Sequence, residues 1–137
     1  MKFRSLIVVE DGSIAPIPNA DPKLILTQPV LNFIVPFVPT QLSFSIFAAV
    51  SDYQLRTQYP LEIIIINNDR GKTVNRIPWV VYEDHESEID IPLGGFFLTN
   101  LKNLIIENEG TYTVELLFNG EVMGSTFFSV YHVERES

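Results

Sequence analysis

The dipeptide Asn119-Gly120 is the feature that most constrains the fold of this chain. It stands between two runs, 111–118 and 122–133, that are rich in β-branched and aromatic residues. A two-residue hairpin loop of type I′ needs positive φ at both central positions, which asparagine and glycine adopt most readily. The sequence therefore predicts an antiparallel hairpin in which the second run returns beside the first.

Turn-forming residues divide the rest of the chain in the same way. Nine prolines and several Asn, Asp and Gly clusters separate about seven or eight short strand-like runs. Residues 41–51 alternate in polarity and predict a half-buried strand, while the four isoleucines at 63–66 predict a central strand. Pro78 places the run 73–82 at a sheet edge or a bulge. Residues 88–93 predict a further strand with an acidic outer side.

Helical periodicity is nearly absent, so we expect an all-β fold with two antiparallel sheets in an immunoglobulin-like sandwich. Three local expectations complete the prediction. Phe3–Val9 forms a strand that ends where Asp11-Gly12 reverses the chain. An irregular connection follows through the three prolines at 16, 18 and 22, and Phe96–Ile106 is a loop with one helical turn.

Length and charge narrow the class of protein. The 137 residues favour one domain spanning 1–137, and 46% hydrophobic residues suffice for a core. No cysteine is present, which excludes disulfides and thiolate metal sites. A net charge of -8 without a basic cluster argues against nucleic acid as a partner. The apolar runs are too short for a secretory signal core or a membrane span, so we expect a cytoplasmic protein without a membrane partner.

The end of the chain carries a family resemblance. Gly110, Tyr112, Val114, Leu116 and Phe118, followed by Asn119-Gly120 and later by Phe128 and Val130, resemble the last hairpin of immunoglobulin-like β-sandwich domains. This resemblance implies a tyrosine corner at Tyr112, in which the hydroxyl bonds to upstream backbone. The whole layout resembles small single-domain bacterial proteins of unknown function, which implies the fold and no activity.

The densest acidic segment, 83–90, is the strongest candidate for a metal site in the sequence. Carboxylates bind calcium or magnesium when several converge, and Asp84, His85 and Glu86 are the candidate metal ligands. However, alternate strand residues lie about 7 Å apart and no calcium-loop pattern occurs, so a solvated segment without cofactor is the simpler interpretation. A metal-dependent or hydrolytic enzyme using this segment stays open as an alternative.

The segment 31–38 contains six large apolar residues together with Pro36. One interpretation is a buried strand bent by proline, and the other is an exposed strip for self-association or a protein partner. The predicted interaction residues are Phe33, Val35, Phe37 and Trp79. No nucleophile motif is present, so the leading hypothesis is a non-catalytic interaction or scaffold domain, with a homodimer as one form. A structural component of a phage or mobile element is a further alternative.

Overall fold

A computed structural model describes residues 1–20, 23–84 and 94–133 and contains nine strands in that part of the chain. The strands are β1 (Lys2–Ala15), β2 (Lys23–Pro29), β3 (Asn32–Val35), β4 (Thr40–Ser51), β5 (Tyr59–Asn67), β6 (Lys72–Val81), β7 (Gly94–Ile106), β8 (Gly110–Phe118) and β9 (Glu121–His132). A four-stranded sheet has the order β2-β1-β4-β7, and a five-stranded sheet has the order β3-β9-β8-β5-β6. The all-β, two-sheet prediction is confirmed.

The predicted terminal hairpin is present. Asn119 has φ 51° and Gly120 has φ 80°, and the loop is closed by the pairing of Phe118 with Glu121. Both central residues thus have the positive φ that a type I′ turn requires. The pairing of β8 with β9 continues to Gly110 and Val130, with one register shift between Leu116 and Leu117.

Residues from both sheets form one apolar core because alternate side chains on each strand point inward. Phe44, on β4, and Phe128, on β9, have ring centroids 5.3 Å apart, which joins the two sheets through aromatic contact. Further fully buried side chains of this core are Ile46, Ile63, Ile65, Ile106, Tyr112, Leu116, Val50, Val114 and Val130.

Tyr112 forms the upstream hydrogen bond that the resemblance implied. Its hydroxyl donates to the carbonyl oxygen of Asn108 at 2.6 Å, and its ring stacks on Phe128 with centroids 5.3 Å apart. Burial raises the pKa of Tyr112 above its ordinary value of 10.0, although the hydrogen bond to Asn108 lowers it. The nearby carboxylates of Asp69 and Glu107 also raise this pKa.

We expect Tyr112→Phe to lower the free energy of unfolding at pH 7 by about 1 kcal/mol, because it leaves a carbonyl without its donor. Because the pKa of Tyr112 is higher in the folded chain, the unfolded chain loses this proton at a lower pH. The stability that comes from the raised pKa is therefore present below pH 10 and is lost as pH rises through the folded-state pKa. Tyr112→Phe should therefore show a shallower loss of stability above pH 10 than the natural chain.

Urea denaturation at several pH values measures both effects, with Tyr131→Phe as the exposed control. The pKa of Tyr53 is also raised, by burial and then by the charge of Glu83. Tyr53 therefore also makes stability fall with rising pH, and this effect is the same in both variants. An alkaline slope in Tyr112→Phe equal to that of Tyr131→Phe would contradict the prediction.

The predicted reversal at Asp11-Gly12 is wrong, because β1 runs through these residues without a turn. It pairs with β4 up to Val9 and with β2 from Val9 to Ala15. A Cβ atom at Gly12 would lie 2.5 Å from Leu98 Cδ1, on β7. A side chain at position 12 would therefore require Leu98 to move. The chain instead reverses between Ala15 and Lys23, in the segment for which the prolines predicted an irregular connection.

The prediction of a loop with a helical turn over Phe96–Ile106 is also wrong. These residues belong to β7, which pairs with β4 from Gly94 to Ile106. A bulge shifts the register between Leu42 and Phe44, and Asn103 opposite it has φ 58°. The bulge places Leu101 and Leu104, three residues apart, against the same core. This spacing interrupts the alternation of apolar and polar residues that would have indicated a strand.

Strand order confirms two sequence predictions and corrects a third. Strand β6, which contains Pro78, lies at an edge, and β5, with the four isoleucines, lies between β6 and β8. The expectation of two purely antiparallel sheets is wrong, because β3 pairs parallel to β9. The chain enters β3 from the opposite sheet, which local sequence does not reveal. The strand predicted at 88–93 lies outside the described residues.

Candidate interaction surface

The four predicted interaction residues lie in different environments. Val35 is buried, and Phe33 is half-buried with its ring 5.3 Å from Phe44 and 5.4 Å from Phe128. Trp79 is buried on β6, at the opposite edge of the five-stranded sheet from β3. Phe37 is 60% exposed. The structure therefore does not bring the four residues together. Of the four, only Phe37 has the exposed side chain that contact with a partner requires, and the binding itself stays a prediction.

Alternation along β3 explains this placement. Phe33 and Val35 point into the sandwich, whereas Ile34 points outward and is 73% exposed. Each of the two interpretations of the segment 31–38 thus holds for part of it. Phe33 and Val35 belong to a buried strand, and Ile34 belongs to an exposed apolar surface.

Strand β9 extends the apolar surface that Ile34 begins. Tyr131 is the register partner of Ile34, and Phe127 and Val133 share the outward parity of Tyr131. All four side chains are at least half exposed. We call Ile34, Phe127, Tyr131 and Val133 the outer strip.

The outer strip has a polar border on one side and a sheet edge on the other. Thr113 is the register partner of Phe127, and Thr111 and Ser129 pair with their hydroxyl oxygens 3.3 Å apart. On the far side, β3 is the edge of the sheet. The strip is therefore one to two strands wide, and Ser129 interrupts it between Phe127 and Tyr131.

Backbone hydrogen bonds indicate which polar groups of β3 face away from the sheet. Ser129 N donates to the carbonyl of Leu31 at 2.9 Å, and Val133 N donates to the carbonyl of Val35 at 3.1 Å. Successive residues of a strand direct their backbone groups to opposite sides, so the N–H and C=O of Ile34 face away from β9. The edge beside the outer strip thus presents a donor and an acceptor next to an exposed apolar side chain.

Two clefts continue the apolar surface along the chain. Ile34, Val35, Pro36 and Val133 line a cleft of about 360 Å³. The next residue, Phe37, lines an open cleft of about 540 Å³ together with Pro39, Thr40, Gln41 and Ile105. Pro39 follows a cis peptide bond from Val38. The exposed member of the predicted strip, Phe37, therefore lies where the chain crosses from one sheet to the other.

Phe127, Tyr131 and Val133 are not among the residues predicted from the sequence. A signal was present, because large apolar or aromatic residues occupy both parities of the strand between Phe127 and Val133. The same two-faced pattern at 63–66 predicted a covered central strand. In β9 the same pattern gives one face in the core and one exposed face. The difference from β5 follows from the position of β9 beside the short edge strand β3, which the pattern itself does not reveal.

The acidic segment enters the described structure only at its beginning. Asp84 Oδ1 accepts a hydrogen bond from Arg56 Nε at 2.9 Å, which forms an exposed ion pair. The other metal candidates, His85 and Glu86, lie outside the described residues. Within residues 1–20, 23–84 and 94–133, no group of three His, Cys, Asp or Glu side chains is arranged to hold a metal ion. The enzyme alternative therefore stays a prediction about 83–90.

The second histidine lies at the end of β9. The backbone N–H of His132 donates to Glu109 Oε2 at 3.1 Å, and His132 Nδ1 lies 3.9 Å from Glu109 Oε1. Gly71, with φ 61°, ends the turn that precedes β6, which begins at Lys72. In the same described part of the chain, no helix is long and apolar enough to span a membrane.

Comparison with known proteins supports the fold and leaves the family open. No family model matches the sequence, and no curated protein matches it. A similar solved structure is the Pseudomonas fluorescens alkylpurine DNA glycosylase AlkC bound to DNA containing an abasic site analog, with TM-score 0.50 and 8% identity. The alignment covers 92% of this chain and 30% of that chain. The chain thus spans under a third of the glycosylase, and the likeness concerns fold alone.

Proposed function

We propose that this chain is a non-catalytic interaction domain that binds a protein partner or a second copy of itself through the outer strip. The observation that carries the proposal is the exposure of four apolar side chains on one face of the β3–β9 pair. Ile34, Tyr131 and Val133 are neighbours there, and Ser129 separates Phe127 from them. Contiguous apolar patches on a folded surface mark interaction sites more often than isolated apolar residues do. The free edge of β3 adds backbone groups that a partner strand can pair with.

The distribution of charge supports the same surface. Residues 24–51 and 122–133 contain no Asp, Glu, Lys or Arg, although the chain has a net charge of -8. The outer strip is therefore free of like-charge repulsion, while acidic residues elsewhere keep the protein from unspecific association. Tyrosine and phenylalanine, which supply half of the strip, are enriched at the centres of protein interfaces.

Strand order favours an immunoglobulin-like topology as part of the proposal. Strand β4 pairs with β1 and β7 in one sheet, and β9, β8, β5 and β6 follow one another in the other. In this topology the first strand divides between the sheets, which is the role we assign to β1 and β3. The hydrogen bond of Tyr112 to Asn108 fits the tyrosine corner of such domains.

Nucleic acid is not the partner we propose, although the glycosylase was bound to DNA. Affinity for the phosphate backbone comes from neutralising cations, and this chain has nine Lys and Arg against seventeen Asp and Glu. The outer strip contributes no cation at all.

The decisive test replaces the two register partners at the centre of the strip, as Ile34→Glu combined with Tyr131→Lys. An opposite-charge pair across the strands preserves sheet pairing and removes the apolar surface. We expect association with a second copy or with the partner to weaken about tenfold or more. The control is Ile14→Lys, which changes an exposed apolar residue on the other sheet.

Sedimentation velocity over a concentration series measures self-association, and capture from the native host lysate followed by quantitative mass spectrometry measures partner binding. Equal association of the strip variant and of Ile14→Lys in both measurements would overturn the proposal. So would a natural chain that stays monomeric and captures no stoichiometric protein.

A further inference from the structure

The edges of the two sheets at β6 and β7 lie side by side on one flank of the sandwich. Trp79 of β6 stacks on Phe97 of β7, with ring centroids 5.3 Å apart and an interplanar angle of 18°. Beyond this stack, Val74 and Asn75 of β6 line a cleft of about 360 Å³ with residues 101–105 of β7. Among the described residues, no strand pairs with the outer edge of either strand.

A second cleft extends this space toward the end of the sandwich. It has a volume of about 180 Å³ and shares Val74 and Ile105 with the first cleft. Its lining adds Arg70, Lys72 and Glu107. We call the two clefts together the flank groove. It runs along β7, and its lining combines the apolar side chains of Val74, Leu101 and Leu104 with polar and charged ones.

The flank groove differs from the rest of the molecule in charge. Arg70, Lys72 and Lys102 line it, and Glu107 is its one acidic side chain among the described residues. None of these three cations has a carboxylate partner within the described residues. The Lys and Arg side chains that form ion pairs lie outside the groove: Lys2 and Arg4 with Asp52, Arg56 with Asp84, and Arg76 with Glu62. Unpaired positive charge is therefore concentrated in this groove, on a chain whose net charge is -8.

We propose that the flank groove binds an extended acidic peptide segment of a partner protein, which adds as a strand to the outer edge of β7. Main-chain hydrogen bonds to the strand edge would supply affinity, and the three cations would select acidic side chains. Every second side chain of the segment would face the apolar lining formed by Val74, Leu101 and Leu104. This surface is separate from the outer strip, so the inference stands whether or not the strip binds a partner.

A peptide suits the groove better than a nucleic acid. The lining combines three cations with apolar side chains and free strand edges, and backbone N–H and C=O groups recognise another backbone. A polyanion would meet few cations here and repulsion from the acidic remainder of the chain.

The test uses fluorescence anisotropy of a labelled decapeptide in which glutamate alternates with valine. We expect saturable binding that weakens at least fivefold when salt rises from about 0.05 M to 0.5 M, because screening shortens the reach of the charges. Combined substitution of Arg70→Gln, Lys72→Gln and Lys102→Gln should weaken binding about tenfold or more. The control, Lys2→Gln with Lys23→Gln and Arg56→Gln, makes the same change in net charge and should stay within twofold.

Two further probes separate the parts of the proposal. The same peptide with N-methyl groups on alternate residues loses one row of hydrogen-bond donors, and we expect its binding to fall at least tenfold. A decapeptide with lysine in place of glutamate should not bind. Equal binding of the methylated peptide, equal weakening in both triple variants, tighter binding of a single-stranded oligonucleotide, or no saturable binding of the acidic peptide would each overturn the proposal.

Discussion

Phe128→Ala is expected to lower the free energy of unfolding by about 3–5 kcal/mol. The Phe128 ring is fully buried and lies 5.3–5.4 Å from the rings of Phe33, Phe44 and Tyr112. Its removal takes away contacts to both sheets at once and leaves a cavity that the rigid strands cannot fill. Because a domain of this size is stable by only about 5–15 kcal/mol, the variant should lie near the limit of folding.

The neighbouring residue provides the matched control. Phe127 is 61% exposed on the opposite face of the same strand, and Phe127→Ala should change stability by about 0.5 kcal/mol or less. Urea denaturation followed by circular dichroism measures both variants. Equal losses of stability for the two alanine variants would contradict the inward and outward assignment of β9, and with it the outer strip.

Trp79→Ala is expected to lower the free energy of unfolding by about 3–4 kcal/mol. Trp79 is 9% exposed and stacks on Phe97 across the two sheet edges. The indole therefore closes the flank between β6 and β7, and its loss exposes Phe97 and opens the end of the flank groove. Trp79→Phe should recover more than half of the lost stability, because a smaller ring still covers Phe97.

Val80 serves as the control for this prediction, since it lies next to Trp79 with its side chain exposed. Val80→Ala should cost about 0.5 kcal/mol or less. Trp79 is the single tryptophan, so unfolding of the variants is followed by circular dichroism rather than by fluorescence. A loss below about 1 kcal/mol for Trp79→Ala would show that the flank is closed by other contacts.

Residue pairs that are adjacent in sequence and opposite in environment recur in this fold. Phe127 and Phe128, Ile34 and Val35, and Val80 with Trp79 each combine an exposed and a buried side chain. Phe33, Val35 and Trp79 were predicted to belong to an interaction surface because they are large and apolar. Size and polarity identify residues that avoid water, but they do not distinguish the core from an exposed face that a partner covers.

Local rules determined much of the fold from the sequence alone. Asn119-Gly120 determined the terminal hairpin, since positive φ is a property of those two residues. Alternation determined β4, and the four isoleucines determined that β5 is central. The missing N–H of Pro78 restricted β6 to an edge or a bulge. Each of these inferences depends on chemistry within a few residues.

Only the tertiary structure decided the features that depend on distant residues. Gly12 contacts Leu98, 86 positions later in the chain, so its small size serves packing rather than a turn. The parallel pairing of β3 with β9, the bulge in β7 and the exposure of the outer strip likewise follow from which strands become neighbours. Strand neighbours are chosen by the burial of whole faces against each other, a global balance that no short window of sequence contains.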